Sequence, residues 1–319
     1  MADEAHVKTD EYIEQLRRKI AREFKAAEKD AQKKLDDYLS RFAKKDEAMQ
    51  ERLRNGEITQ TAYREWKLRQ ITTGARFQDL RDTIANDYHH ASEIAQKYAR
   101  DALPDVYALN HNWATYSIEK EAGIDTSYTL YNHDSVERLI RDDPKLLPDP
   151  TPGSETARKL AENKDLRWNK EHITSAVTRG IMSGDSIDQL AKRLRSVTNM
   201  DYSASMRNAR TAMTGAQNAG REDAYKRAEA MDIDLVRVWI ATLDNRTRDS
   251  HRALHGEERD GDTFSNGLEY PGDPNGDPAE VYNCRCAMVS HVASHPADIP
   301  KMSPRMTESF EDWQKGKKK

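Results

Sequence analysis

The run EYIEQLRRKIAREFKAAEKDAQKKLDDYLSRF, residues 11–42, decides the fold. Its apolar positions are Ile13, Leu16, Ile20, Phe24, Ala27, Ala31, Leu35, Tyr38 and Phe42, separated by steps of three or four. That spacing is the period of an α-helix with one apolar stripe. Charged residues fill most of the remaining positions, so the run reads as a solvated helical arm with a single sticky seam. Asn55-Gly56 is a stop signal. Thr59 then offers an N-cap for a second helix. The stripe of that helix is Ala62, Trp66, Phe77, Leu80, Ile84, Tyr88, Ala91, Ile94 and Tyr98. A helix of about 45 residues spans roughly 65 Å. Two such helices joined by a short turn make an antiparallel hairpin.

Helix breakers support this reading. No proline precedes Pro104, and Gly56 and Gly74 are the only glycines in the first 120 residues. Residues 1–100 carry 21 basic and 19 acidic side chains, so the arm is of mixed charge and does not look like a nucleic-acid arm. The whole chain has 319 residues, 36% hydrophobic and 33% charged, with a net charge of −4. A composition this polar argues against one thick core. No stretch of about 20 apolar residues exists to span a bilayer. The first eight residues lack the apolar core of a signal peptide. Two cysteines exclude a disulfide scaffold and suit a reducing cytosol.

Proline and glycine divide the rest. Asp105 to Lys120 and Asp134 to Arg141 are expected helices, the second with an Asp cap. Pro144, Pro148, Pro150 and Pro152 mark a linker or wrapped loop. Ser154 is expected to cap a helix bearing Leu160 and Trp168. Asp185 or Ser186 would cap another bearing Ile187, Leu190 and Leu194, and a further helix is expected from about Ser203 to Met231. Leu235 to Ala241 is β-branched and aromatic and reads as a strand. Residues 256–278 read as a loop, and Val281 to Val292 as a second strand. Residues 232–286 hold six arginines, no lysine and twelve acidic residues, a poor match for a phosphate backbone. The chain ends in Lys315-Gly316-Lys317-Lys318-Lys319, expected to be a mobile tail. The expected class is mainly α with a small C-terminal α+β domain. The expected divisions are a hairpin arm (1–103), a connector with the Pro-rich loop (104–153), a helical core (154–231), an α+β domain (232–300) and a basic tail (301–319).

Chemistry concentrates near the C-terminus. Cys284 and Cys286 stand together in Asn283-Cys284-Arg285-Cys286, with His251, His255, His291 and His295 nearby in sequence. On a strand, Cys284 and Cys286 share a face. His251 and His255 share a helix face if Ser250 to His255 is helical, and Gly256 would stop that helix. Thiolate and imidazole suit zinc, which takes four tetrahedral ligands. Such a clip would tie strand to helix across a Gly/Pro-rich loop. The plainer reading is two ordinary thiols near loop histidines. A Cys284–Cys286 disulfide is disfavoured, because extended i and i+2 Cα atoms lie about 6.5–7 Å apart. His255-Gly256-Glu257 matches half of a zinc deaminase signature, but Asn-Cys-Arg-Cys is not its P-C-x-x-C half. Asp244, Arg246, Arg248 and Asp249 crowd before His251. They read either as an anion-binding or catalytic cluster or, more plainly, as a capped helix start with local ion pairs.

The ordered set Trp239-Ile240-Ala241-Thr242-Leu243-Asp244-Asn245-Arg246-Thr247-Arg248-Asp249-Ser250-His251, Leu254-His255-Gly256, Phe264, Pro271-Gly272-Asp273-Pro274 and Asn283-Cys284-Arg285-Cys286 resembles the C-terminal domain of phage minor head proteins, the Mu F-like head morphogenesis family. Asn208-Ala209-Arg210-Thr211-Ala212 and Gln217-Asn218-Ala219-Gly220-Arg221 are similar to the helix upstream of it. The resemblance covers roughly residues 165–290. It implies a low-copy virion protein, made in the host cytoplasm, that associates with the portal and ends inside the capsid, where it affects assembly and DNA packaging or ejection. The implied partner is the portal protein. The seam-bearing helices are expected to dock portal or scaffold or to self-associate, with major capsid protein a further candidate, weak or indirect DNA contact and no membrane. The motif positions carried over are Arg210, Thr211, Asp244, Arg246, Thr247, Arg248, His251, Gly256, Cys284 and Cys286. A zinc ion would take His251, Cys284 and Cys286, with Asp244, His255 or water fourth. The alternative is a metal-dependent enzyme or toxin-like effector domain carried in the virion.

Overall fold

The structure is a computed structural model that describes residues 3–125, 129–142, 155–183, 185, 187–259, 261–293 and 308–317. It is mainly helical, with a small α+β part near the C-terminus: α1 (Glu4–Arg54), α2 (Gln60–Thr72), α3 (Ala75–Ala122), α4 (His133–Asp142), α5 (Glu155–Ser183), α6 (Ile187–Glu229), β1 (Leu235–Ile240), α7 (Asp249–Ala253), α8 (Pro278–Val281), β2 (Ala287–Val292) and α9 (Phe310–Lys317). Among the described residues, no helix is long and apolar enough to cross a membrane.

Two compact units divide the chain. One holds Met1–Leu16, Lys97–Pro150 and Arg207–Lys319, the other Arg17–Gln96 and Thr151–Met206. These limits differ from the sequence divisions. Helix α3 runs through the expected 103/104 limit with Pro104 inside it. A proline removes one backbone donor, but Leu103, Val106 and Tyr107 are buried there and keep the helix packed.

Unit Arg17–Gln96 with Thr151–Met206 buries the α1 seam. Ile20, Phe24, Ala27, Ala31 and Leu35 are buried, and Leu39 is buried where Phe42 was expected to be. Helix α3 lies antiparallel to α1, with Tyr38 against Phe77 (5.9 Å between rings) and Lys34 Nζ 2.5 Å from Asp87. Helix α6 packs on α1 through Phe24 and Tyr202, 5.8 Å apart. The second arm differs from expectation, because it breaks at Thr73-Gly74 into α2 and α3. The cap is as expected: Thr59 Oγ1 accepts from Ala62 N at 3.1 Å. Tyr63, not Ala62, fills the buried position of α2. Gly56 takes φ +74°, which ends α1.

In the other unit, α4 is capped by Asn132 rather than the expected Asp134, since Ser135 N donates to Asn132 Oδ1 at 2.9 Å. Helix α6 is unbroken where two helices were expected. β1 and β2 pair antiparallel, Leu235 opposite Val292 and Ile240 opposite Ala287. The second strand is shorter than expected. Residues 278–281 are helix α8, and Asn283 adopts φ +58°, so Cys284 and Cys286 precede β2. The expected mobile tail is in part a helix: Phe310 and Trp313 of α9 are buried with Tyr116, and Trp313 Nε1 donates to Glu119 Oε2 at 2.6 Å. The Pro-rich stretch 143–153, Ser154, Ser186, His295 and the side chain of Leu160 lie outside the described residues.

Candidate metal centre

The segment 283–288 is positioned by one face of α6. Thr211, Thr214, Asn218 and Arg221 follow at steps of three and four, so they line one stripe of the helix. Thr211 Oγ1 accepts from Asn283 N at 2.8 Å, and Thr214 Oγ1 donates to Cys284 O at 2.8 Å. Asn218 Nδ2 donates to Cys286 O (3.2 Å) and Pro271 O (2.8 Å), while its Oδ1 accepts from Met288 N at 2.8 Å. Arg221 Nη1 donates to Met288 O at 2.9 Å. A buried backbone needs partners for its polar groups. Here α6 supplies them to the segment leading into β2 and to the start of that strand.

The same stripe also holds Asp3 and Asn110. Arg221 is fully buried, and its two terminal nitrogens meet Asp3 at 2.7 and 2.8 Å while Nε donates to Asn110 at 3.0 Å. Burial pushes the Asp3 carboxyl up, but the Arg221 charge and hydrogen bonds outweigh it and hold the group below its ordinary range. Gly220 lets α3 approach, since a Cβ there would lie 2.5 Å from Tyr107 O.

Three side chains converge beside this scaffold. His251 on α7, Cys284 and Cys286 are buried, and their ligand atoms all lie within 4.8 Å of one another. His251 Nδ1 is 3.6 Å from Cys284 Sγ and 3.4 Å from Cys286 Sγ. A zinc with Zn–N of about 2.0–2.1 Å and Zn–S of about 2.3 Å, at tetrahedral angles, separates N from S by about 3.5 Å. The donor set and spacing therefore fit zinc. On the far side of the ring, Nε2 lies 2.9 Å from Glu280 Oε2 of α8. The two atoms are close, but Nε2 makes no aligned hydrogen bond. A carboxylate behind a ligating histidine is the usual arrangement at zinc. Trp239 closes the pocket edge-on to His251 at 5.3 Å. Between the cysteines, a shared hydrogen bond raises the Cys284 thiol and lowers that of Cys286; burial pushes both up, and His251 adds to the fall at Cys286.

The structure places the remaining motif residues elsewhere. Asp244 is held by Arg285 through two contacts of 2.6 and 2.5 Å and accepts from Arg246 N at 2.9 Å. The Arg285 bonds keep its carboxyl well below the usual range. His255 follows α7, and its Nδ1 accepts from Ala241 N at 3.1 Å. The converging group thus includes neither of them. Thr247 Oγ1 bonds Thr242 O, Arg248 reaches Tyr282 O, and Gly256 takes φ +83° while donating to Trp239 O at 2.8 Å. Arg210 is half-buried, and burial first, then Arg246 and Arg285, lower its pKa against the opposing charges of Asp10 and Glu14. Sequence reasoning missed Glu280 and the Thr211–Arg221 polar stripe. The stripe had a signal, since polar residues at steps of three and four on a helix ask for buried partners. Glu280 had none, because it fell between the expected loop 256–278 and the expected strand from Val281, and α8 was not foreseen.

Residues 171–289 match the family described as Phage Mu protein F like protein. "Minor head protein GP7" of Bacillus phage SPP1 is 25% identical over 270 residues, 81% of each chain. "NAD(+)--arginine ADP-ribosyltransferase EFV" of Enterococcus faecalis is 27% identical over 222 residues, 67% of this chain and 43% of that protein. An uncharacterized protein of Haemophilus influenzae is 24% identical over 205 residues, 63% of this chain and 40% of that one. The chain thus spans less than half the length of two of these relatives and about four fifths of the phage protein. No solved structure matches. Residues 171–289 are thus similar to the phage Mu F-like family, and the chain resembles a phage minor head protein over most of its length.

Proposed function

We propose that the chain is a minor head protein of a phage, associated with the portal, incorporated inside the capsid and acting in assembly and in DNA packaging or ejection. The observation that carries this reading is the likeness to a minor head protein over 81% of both chains, which extends beyond the family match into the helical arm. The relative named as a transferase supports an effector reading less well, because more than half of its length lies outside what this chain covers. Contact with DNA is weak or indirect in this reading, in keeping with the net charge of −4. The α1 seam is occupied inside its own unit, so portal and other head proteins meet exposed faces rather than the seam.

Within this protein the His251, Cys284 and Cys286 group holds zinc as a structural clip. The ion would join α7 to the segment before β2 and convert binding free energy into folding free energy. Asp244 and His255 stay in their own contacts, and water or an outside ligand takes the fourth position. Co-expression of the full chain with the portal protein of the same genome tests the first part. Capture at a fixed stoichiometry supports it, and failure to capture refutes it. Elemental analysis of the purified chain tests the second. The expected result is about one zinc per chain, lost in Cys284→Ser and kept in Asp244→Ala and His255→Ala. A metal-free wild-type chain, purified without chelator, refutes the clip.

A further inference from the structure

Cys284 and Cys286 are the two cysteines of the chain, so neither has another thiol in the chain to pair with. Both are free and buried. The objection to joining them concerned an extended pair, and the structure removes it. Neither lies in a strand: β2 begins at Ala287, and Asn283 turns the chain at φ +58° just before them. Cys284 Sγ folds over the following backbone, where it accepts from Cys286 N at 3.4 Å. Both sulfurs face the same nitrogen, His251 Nδ1, at 3.6 and 3.4 Å. They lie within 4.8 Å of each other. Thr214 and Asn218 meanwhile hold the carbonyls of the two residues.

We infer that Cys284 and Cys286 are a reversible disulfide pair, and that the bridge and a bound zinc are alternative states of one site. The second half rests on the zinc reading above; the first does not. Two thiols and one hydrogen peroxide give one disulfide and two waters. One sulfur attacks a peroxide oxygen, the O–O bond breaks, water leaves with that thiol's proton, and a sulfenic acid remains. The other sulfur then attacks the first. The S–S bond forms, the S–O bond breaks, and the departing hydroxide takes the second thiol's proton as water. The cysteines lose two electrons and two protons in all. Burial of both sulfurs admits a small oxidant such as peroxide and excludes a bulky one such as glutathione disulfide. A bridge over one intervening residue is strained and therefore easily reduced. Zinc needs thiolates, and a disulfide offers none, so each state excludes the other. A reducing compartment keeps the pair open to metal, and an oxidising one closes it.

Treatment of the full, metal-free chain with hydrogen peroxide tests this, read by intact mass and thiol titration. The mass is expected to fall by two hydrogens and both thiols to be lost, while the thermal transition persists. Dithiothreitol is expected to restore both thiols. With free zinc at about ten times its Kd, oxidation is expected to slow about tenfold. The oxidised chain is expected to bind no zinc until it is reduced. Retained thiols, a gain of oxygen without a bridge, a bridge between chains, or closure only in denaturant would each overturn the pair. Closure at one rate with and without bound zinc would overturn the exclusion. A wild-type chain that binds no zinc yet closes the bridge refutes the clip and the exclusion, and the disulfide pair stands.

Discussion

Arg221→Met removes the charge that joins the N-terminus, α3, α6 and β2 in one unit while keeping a long apolar side chain in its place. Wild-type Arg221 donates to both Asp3 oxygens, to Asn110 Oδ1 and to Met288 O. After the change, Asp3 keeps only His6 N at 2.9 Å, and Met288 O loses its side-chain donor. Asn110 retains Thr9 and Val106 through Nδ2, so its loss is partial. Breaking a buried ion pair by removing one partner destabilises by about 3–5 kcal/mol. At about 1.4 kcal/mol per tenfold, exchange of the β2 amides is expected to rise by about two to three and a half orders of magnitude. Hydrogen–deuterium exchange of residues 286–292 reads this locally, without requiring the whole chain to unfold in one step. Arg221→Lys keeps a charge but not four directed bonds and is expected to fall between wild type and Met. The Asp3 carboxyl is held below its ordinary value of 3.8. Its share of stability is therefore present above that value and lost as pH falls through the lower folded pKa. A loss under about 1 kcal/mol, within the range of an ordinary surface change, would refute the view that this arginine secures the unit.

Gly220→Ala is expected to destabilise by about 1–3 kcal/mol, although alanine is the better helix former, because its Cβ would meet Tyr107 O at 2.5 Å; a raised thermal midpoint would contradict the close approach of α3 and α6. Asp201 is raised to about 6, chiefly by burial, and its Oδ2 and the Asn169 Oδ1 both lack partners. A raised carboxyl pKa means that stability is lost as pH climbs from about 4 to about 6. Asp201→Asn is therefore expected to stabilise at pH 7 and to flatten that loss, as followed by thermal midpoint against pH. Chelation with 1,10-phenanthroline is expected to lower the thermal midpoint of the wild-type chain and to leave that of Cys284→Ser unchanged, and equal shifts in both would count against the clip.

The helices were legible because a polar chain with one apolar stripe has few other ways to bury it. The seam from Ile13 to Leu35 is buried as its spacing requires, and Thr59 and Gly56 punctuate it as their chemistry requires. Where the sequence misled, local signals lost to packing. Proline at 104 did not end α3, because apolar neighbours on both sides are buried. The helix did break at Gly74, where a Cβ would crowd Gln70 O at 2.6 Å and glycine therefore fits. The strand expected over 281–292 failed at its start, where Asn283 takes a left-handed turn that Thr211 stabilises from 72 residues away. No local pattern announces a bond of that span.

The metal group shows the same division between local and distant causes. Cys284 and Cys286 were placed together by sequence adjacency, and His251 was legible as a helical histidine. The strand argument for their shared face does not hold, yet the thiols still converge. What replaces the strand is the α6 stripe, whose Thr214 and Asn218 hold the carbonyls of Cys284 and Cys286 themselves. Two backbone anchors two residues apart fix the directions of both side chains as firmly as a sheet would. The motif on α6 and the motif at the cysteines, 70 residues apart, are thus one device: the helix positions the thiols, and the α7 histidine completes them. Asn218→Ala should therefore reduce zinc retention although Asn218 touches no ligand atom. It would leave Met288 N and Cys286 O without their side-chain partner at a cost of about 1–3 kcal/mol each at most. Zinc retained as in wild type, with the β2 amides still protected, would show that the cysteines are placed by the metal and not by the helix.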